Sequence, residues 1–135
     1  MTPLSGRRHE GTELNAPPLV AIIDDDEDIR QSLETLVEMI GYRVDTFESA
    51  EAFLGWPLVG TTDCIVSDIH MKGLSGIELT RALNQAGHSI PVILISAYAS
   101  DDIRRRAMDA GAACFLSKPF DVDMLVHRLK SLLRP

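Results

Sequence analysis

Five short apolar runs, at residues 19–23, 42–47, 64–66, 91–95 and 113–116, alternate with amphipathic segments along this chain. Each run is shorter than an ordinary helix yet almost continuous in apolar side chains, as a strand buried on both faces requires. Such strands belong to parallel sheets, whose return connections cross over a face and are usually helices. The intervening segments supply them. Ile29, Leu33, Leu36, Val37 and Ile40 share one helical face, and Gly41 follows where that helix would stop. Residues 49–56 begin at a capping serine and end before Pro57. Residues 75–86 close at Gly87, and residues 100–110, capped by Ser100, close at Gly111. Val122, Leu125, Val126, Leu129, Leu132 and Leu133 mark a fifth helical face. The alternation predicts one doubly wound α/β domain of five strand-helix units.

Residues 1–18 have no such periodicity and carry Pro3, Gly6, Gly11, Pro17 and Pro18. They are expected to form a flexible tail, with residues 19–135 as the domain and nothing left over for a second one. The net charge of −7 argues against direct binding of nucleic acid by this chain, so partners are expected to be proteins. No apolar run reaches membrane-spanning length and the N-terminus lacks a signal-peptide core, which points to a cytoplasmic protein. Cys64 and Cys114 sit within apolar runs. With the fourth strand between theirs, they would lie roughly 9–10 Å apart, too far for a disulfide, and two free thiols are expected.

In an open parallel sheet the ligand crevice lies beyond the carboxyl ends of the strands, where strand order reverses. Here the first strand runs into Asp24 and Asp25, the third into Asp68, the fourth into Ser96 and the fifth into Lys118. In the flavodoxin-like order 2-1-3-4-5, the first and third strands are neighbours about 4.8 Å apart, which crowds the carboxylates into one volume. Either a carboxyl pKa rises or a cation enters. Hard oxygen ligands with open positions suit Mg²⁺ (or Mn²⁺), with Asp25 as a direct ligand and Asp24 acting through a bound water. Asp68 is then a carboxylate nucleophile for a phosphoryl group, Lys118 a point charge against developing oxyanion charge, and Ser96 a hydroxyl donor to a phosphoryl oxygen. Singly, each has an ordinary reading: an acidic pair completes a helix N-terminus, a serine caps, and Lys-Pro-Phe is a loop. Their joint placement at four strand ends favours the phosphoryl site.

The residues that carry this pattern are LVAIIDDDEDIR at 19–30, IVSDIHM at 65–71, ILISA at 93–97 and FLSKPF at 115–120. They resemble two-component response-regulator receiver domains, and DTFESAEAFL at 45–54 resembles the FixJ-like subgroup. The resemblance implies phosphotransfer from a sensor histidine kinase, or a phosphotransfer protein, to Asp68. It implies Mg²⁺ on Asp25, Asp68 and the backbone carbonyl of His70, and a switch in which Ser96 moves inward and Phe115 changes rotamer. It further implies an output face of helix four, strand five and helix five, kinase docking near helix one, and a Lys118–Pro119 bond that is often cis. Such a domain is a signalling receiver that promotes its own phosphorylation and dephosphorylation, rather than an enzyme on external substrates.

Some positions depart from that pattern. Lys72 stands where receivers most often have proline, which restores an N–H in the loop carrying the His70 carbonyl. His70 and Tyr98 flank the expected path of water to an acyl phosphate, so Lys72, His70 and Tyr98 are where ion binding and phosphoryl lifetime are expected to differ. Phe115 reads equally as core. His9, His88 and His127 have no metal-ligand spacing and are expected to be exposed. A Mg²⁺-dependent aspartyl phosphatase would need an acid two positions after Asp68, where His70 stands. The receiver half of a FixJ-type DNA-binding regulator remains the other reading. Arg104, Arg105 and Arg106 spread around a helix beside Asp101 and Asp102, which suits a solvated or protein-contact surface. A phosphorylation-driven homodimer through helices four and five is the expected self-association, with Met124 outside the core stripe.

Overall fold

The computed structural model describes residues 16–133. His9 and most of the expected tail lie outside the described residues. The elements run β1 (Leu19–Ile23), α1 (Glu27–Met39), β2 (Arg43–Phe47), α2 (Ala50–Leu54), a 3-10 turn (Val59–Thr61), β3 (Cys64–Asp68), α3 (Gly76–Gln85), β4 (Val92–Ser96), α4 (Asp101–Asp109), β5 (Cys114–Ser117) and α5 (Val122–Leu132). The strands form one parallel sheet in the order β2-β1-β3-β4-β5.

Side chains alternate across the sheet because successive strand residues point to opposite faces. Ala21, Ile23, Ile65, Leu94 and Phe115 enter the core with Phe53 and Leu83, on the side of α2, α3 and α4. Val20, Ile22, Val66, Ile93 and Leu116 enter the other with Val37, Leu125 and Leu129, on the side of α1 and α5. Full burial of each large aliphatic side chain stabilises by roughly 1.5–3 kcal/mol. Cys64 and Cys114 are both buried and free. Burial pushes the Cys64 thiol up to about 12.

The expected caps at Ser49 and Ser100 form, accepting from the Ala52 and Ile103 N–H groups, and Ser75 adds a third by accepting from Glu78. Glu78 completes a reciprocal capping box with the Ser75 N–H at 2.9 Å. Such a cap is worth about 1 kcal/mol. Gly41, Gly87 and Gly111 end their helices at positive φ.

Some sequence expectations need correction. Val122 is 49% exposed rather than core, because in the first turn of α5 it lines an open groove with Phe120 and α1 instead of packing inward. His88 is half-buried where exposure was expected, in a turn whose main chain is held by its N–H donating to the Leu83 carbonyl. Pro17 and Pro18, placed in the tail, are tied to the sheet edge: their carbonyls accept from Arg43 Nε at 2.8 Å and Arg43 N at 2.9 Å. The second helix is shorter than residues 49–56, ending at a Gly55 cap, and Trp56 packs against Phe47 and Phe53 instead. His127 is exposed as expected.

Candidate functional site

The acidic run after β1 divides by function. Asp26 caps α1 by accepting from the Ile29 N–H, and Glu27 and Asp28 face the positive end of the helix dipole. That leaves Asp24 and Asp25 at the strand end. Asp24 is buried and accepts from the Asp26 N–H at 2.9 Å, while Asp25 is exposed. Arg30 reaches back from α1 and donates to the Asp24 carbonyl at 2.7 Å.

Asp68 ends β3, beside β1. It is 9% exposed, and carboxylate oxygens of Asp24, Asp25 and Asp68 lie within 4.8 Å of one another. Burial raises the Asp68 pKa, an effect countered by Lys118 and His70 and reinforced by Asp25. Burial also raises that of Asp24, with Asp68 and Asp25 adding to it against the Asp26 N–H and Lys118. Lys118 Nζ stands 3.4 Å from Asp68 Oδ1, an ion pair whose geometry falls short of a hydrogen bond. That buried oxygen consequently has no hydrogen-bond partner. Clustered carboxylates with an unpartnered, buried oxygen fit a hard divalent cation.

Local packing fixes the Asp68 main chain. Ser67 Oγ donates to the Asp68 carbonyl at 2.9 Å, and a Cβ on Gly76 would stand 2.5 Å from that carbonyl oxygen, so the start of α3 can approach only as glycine. Lys118 directly follows β5 and precedes a cis Lys118–Pro119 bond, and its N–H donates to the Ser96 carbonyl at 2.8 Å.

Ser96 ends β4 fully buried. Its Oγ accepts from the Tyr98 N–H at 3.0 Å and shares a hydrogen bond with His70 Nε2 at 3.0 Å. The imidazole meets the Tyr98 ring edge-on, centroids 5.0 Å apart. Phe115 is 6% exposed and packed in the core, with the Arg104 guanidinium 4.8 Å from its ring centre. The N–H that Lys72 restores lies 3.4 Å from Asp25 Oδ2.

Asp24, Asp25, Asp68 and Lys118 thus converge as the strand ends implied, with Ser96 and His70 joined to each other nearby. Sequence reasoning missed Arg30, Gly76, Arg104 and Glu51, whose carboxylate accepts from the Leu74 N–H at 2.9 Å. Only Gly76 left a signal, as a glycine inside the first turn of a helix that should avoid one. Among the described residues, no helix is long and apolar enough to cross a membrane.

The sequence matches the response regulator receiver domain over residues 20–130. It is 36% identical over 124 residues to the transcriptional regulatory protein TdiR of Thauera aromatica, covering 92% of this chain and 55% of that protein. It is 39% identical over 114 residues to the transcriptional regulatory protein FixJ of Azorhizobium caulinodans, covering 84% and 54%. The chain therefore spans about half the length of these relatives. The crystal structure of FixJ-N superposes with a TM-score of 0.78 at 34% identity, covering 85% of this chain and 92% of that one. Response regulator StyR superposes at 0.80 with 37% identity, over 88% and 60%. With the sheet order, the strand-end cluster and these matches in agreement, this chain belongs to the response-regulator receiver domain family.

Proposed function

We propose that the domain accepts a phosphoryl group on Asp68 from a phosphohistidine of a sensor kinase or phosphotransfer protein. In that transfer the P–N bond to the donor imidazole breaks and a P–O bond to a carboxylate oxygen of Asp68 forms. The observation that carries the reading is Asp68 Oδ1: buried, unpartnered by hydrogen bonds, and 3.4 Å from Lys118 Nζ. Lys118 offsets charge on the phosphoryl oxygens, and Ser96 is the hydroxyl donor to one of them. Asp25, Asp68, the His70 carbonyl and, through water, Asp24 would hold Mg²⁺ (or Mn²⁺). That ion supplies further neutralisation of the incoming phosphate charge.

Incubation with acetyl phosphate, with and without Mg²⁺, tests this by intact mass and peptide mapping. One phosphoryl group on Asp68, dependent on Mg²⁺ and lost in Asp68→Asn, is expected. Undiminished labelling of Asp68→Asn would overturn the assignment.

The domain is read as residues 19–135 in a cytoplasmic protein, with the preceding Pro17 and Pro18 held at its β2 edge. The kinase is placed on the groove between α1 and the start of α5, where Ile29, Leu33, Leu36, Phe120 and Val122 form an apolar approach to Lys118. A switch at Ser96 and Phe115 would reach the α4-β5-α5 face, where exposed Met108 and Met124 suit a phosphorylation-dependent homodimer. The names of TdiR and FixJ favour a second reading, in which the output is transcriptional control, although a net charge of −7 argues against this chain itself contacting DNA.

A further inference from the structure

The loop between β3 and α3 leaves the acidic cluster at Asp68 and closes on itself where the Gly76 N–H donates to the Ile69 carbonyl at 3.0 Å. Its middle residues, Lys72 and Gly73, are exposed, so apolar packing does little to hold them. A carboxylate from another element does. Glu51, in the first turn of α2, accepts through Oε2 from the Leu74 N–H at 2.9 Å. The approach is so close that a Cβ on Gly73 would collide with that same oxygen, and Gly73 sits at φ +79°, where other residues are strained. On its other side the loop meets the cluster, with the Lys72 N–H 3.4 Å from Asp25 Oδ2.

Anchored at one end by β3, which ends at Asp68, and at the other by Glu51 on Leu74, the loop presents the main chain between them, His70 included, in one conformation. Mg²⁺ demands near-ideal octahedral geometry, so the placement of a main-chain ligand weighs on its affinity.

We propose that Glu51 is a positioning residue for the divalent cation: by clamping the β3–α3 loop from α2, it holds the His70 carbonyl where the ion needs it. The inference rests on the Mg²⁺ site proposed above. Glu51 acts here by reach and not by charge, which sets the test. In Glu51→Gln an acceptor oxygen keeps the same reach without the charge. In Glu51→Asp the charge stays but the side chain is one methylene short.

Mg²⁺ binding to the full chain, measured by isothermal titration calorimetry alongside thermal melting, separates these. Glu51→Ala and Glu51→Asp are expected to weaken Mg²⁺ binding about 3- to 10-fold, at or below the low end for partners that orient ligands, with Glu51→Gln within about twofold of the unaltered chain. Gly73→Ala, which drives a methyl group into Glu51 Oε2, gives a second route to the same loss if the Glu51 variants fold poorly. Equal weakening by Gln and Ala, or none by Asp, would assign the effect to charge and overturn the proposal. Unchanged affinity in Glu51→Ala, with binding abolished in Asp25→Asn, would overturn it while leaving the Mg²⁺ site standing. Failure of the unaltered chain to bind Mg²⁺ would remove both.

Discussion

His70 Nε2 lies 3.0 Å from Ser96 Oγ, so the side chain two positions after Asp68 and the hydroxyl ending β4 act as one unit. The Tyr98 N–H donates to the same oxygen, and the Tyr98 ring braces the imidazole edge-on. In the tautomer whose Nε2 accepts from Ser96 Oγ, that bond must break before Ser96 can donate to a phosphoryl oxygen. On the proposed site, the two contacting rings would stand beside the route of water to a phosphorylated Asp68. Both His70→Asn and Tyr98→Ala are expected to shorten the phosphorylated lifetime about fivefold, the effect of ~1 kcal/mol on a barrier. Decay of phosphorylated protein at saturating Mg²⁺ measures it, and unchanged lifetimes in both variants would sink the idea.

Burial raises the pKa of both Asp24 and Asp68 above the ordinary value of 3.8. Just above that value the native state therefore binds more protons than the unfolded chain. By linkage, this contribution favours the native state at low pH and is lost as pH rises through the raised native pKa values. Without divalent cation, burial disfavours the charged form of both carboxylates in the native state. Asp68→Asn is expected to raise Tm at pH 7 by roughly 3–5 °C, the shift ~1 kcal/mol produces in a domain of this size. The gain should shrink toward pH 4 and reverse in sign with Mg²⁺, which stabilises only the unaltered chain. Calorimetric melting across pH, with EDTA or Mg²⁺, checks each limb.

The crevice was legible because a parallel sheet turns sequence into position: each apolar run ends at one rim, so Asp24, Asp68, Ser96 and Lys118 could be placed there before any coordinates. What surrounds them was not. The His70–Ser96 bond, the Arg104–Phe115 contact and the Glu51 clamp join residues far apart in sequence through rotamers and loop conformations, which periodicity does not encode. Val122 shows the same limit within a helix. It fits the apolar spacing of α5, yet it sits in the first turn, where no neighbour covers it. Spacing assigns a face; packing partners decide burial.

Lys72 leaves an N–H 3.4 Å from Asp25 Oδ2, where proline would have none. That donor competes with a cation for the carboxylate oxygen, and the exposed ammonium adds repulsion. Lys72→Pro removes both effects and Lys72→Ala only the second. Mg²⁺ affinity by calorimetry is expected to rise about threefold in Lys72→Pro, roughly 0.7 kcal/mol, and by less in Lys72→Ala. Weaker binding in the proline variant would show instead that the N–H helps to orient Asp25.

Arg104 stands over the Phe115 ring at 4.8 Å, joining α4 to the strand that delivers Lys118. The neighbouring arginines are engaged differently: Arg105 and Arg106 pair with Asp102 at 2.8 and 3.7 Å. Arg104 thus covers the buried ring, and any rotamer change at Phe115 must break that contact. A cation over an aromatic face at a partly exposed site contributes about 0.5–1 kcal/mol. A double-mutant cycle of Arg104→Ala and Phe115→Leu in urea unfolding should return a coupling of about that size. On the side of function, Arg104→Ala should ease outward rotation of Phe115 and increase the response of the α4-β5-α5 face to a beryllofluoride phosphoryl mimic. Backbone NMR shifts along α4 and β5 report it. A zero coupling energy together with unaltered shifts would reduce Phe115 to a core residue.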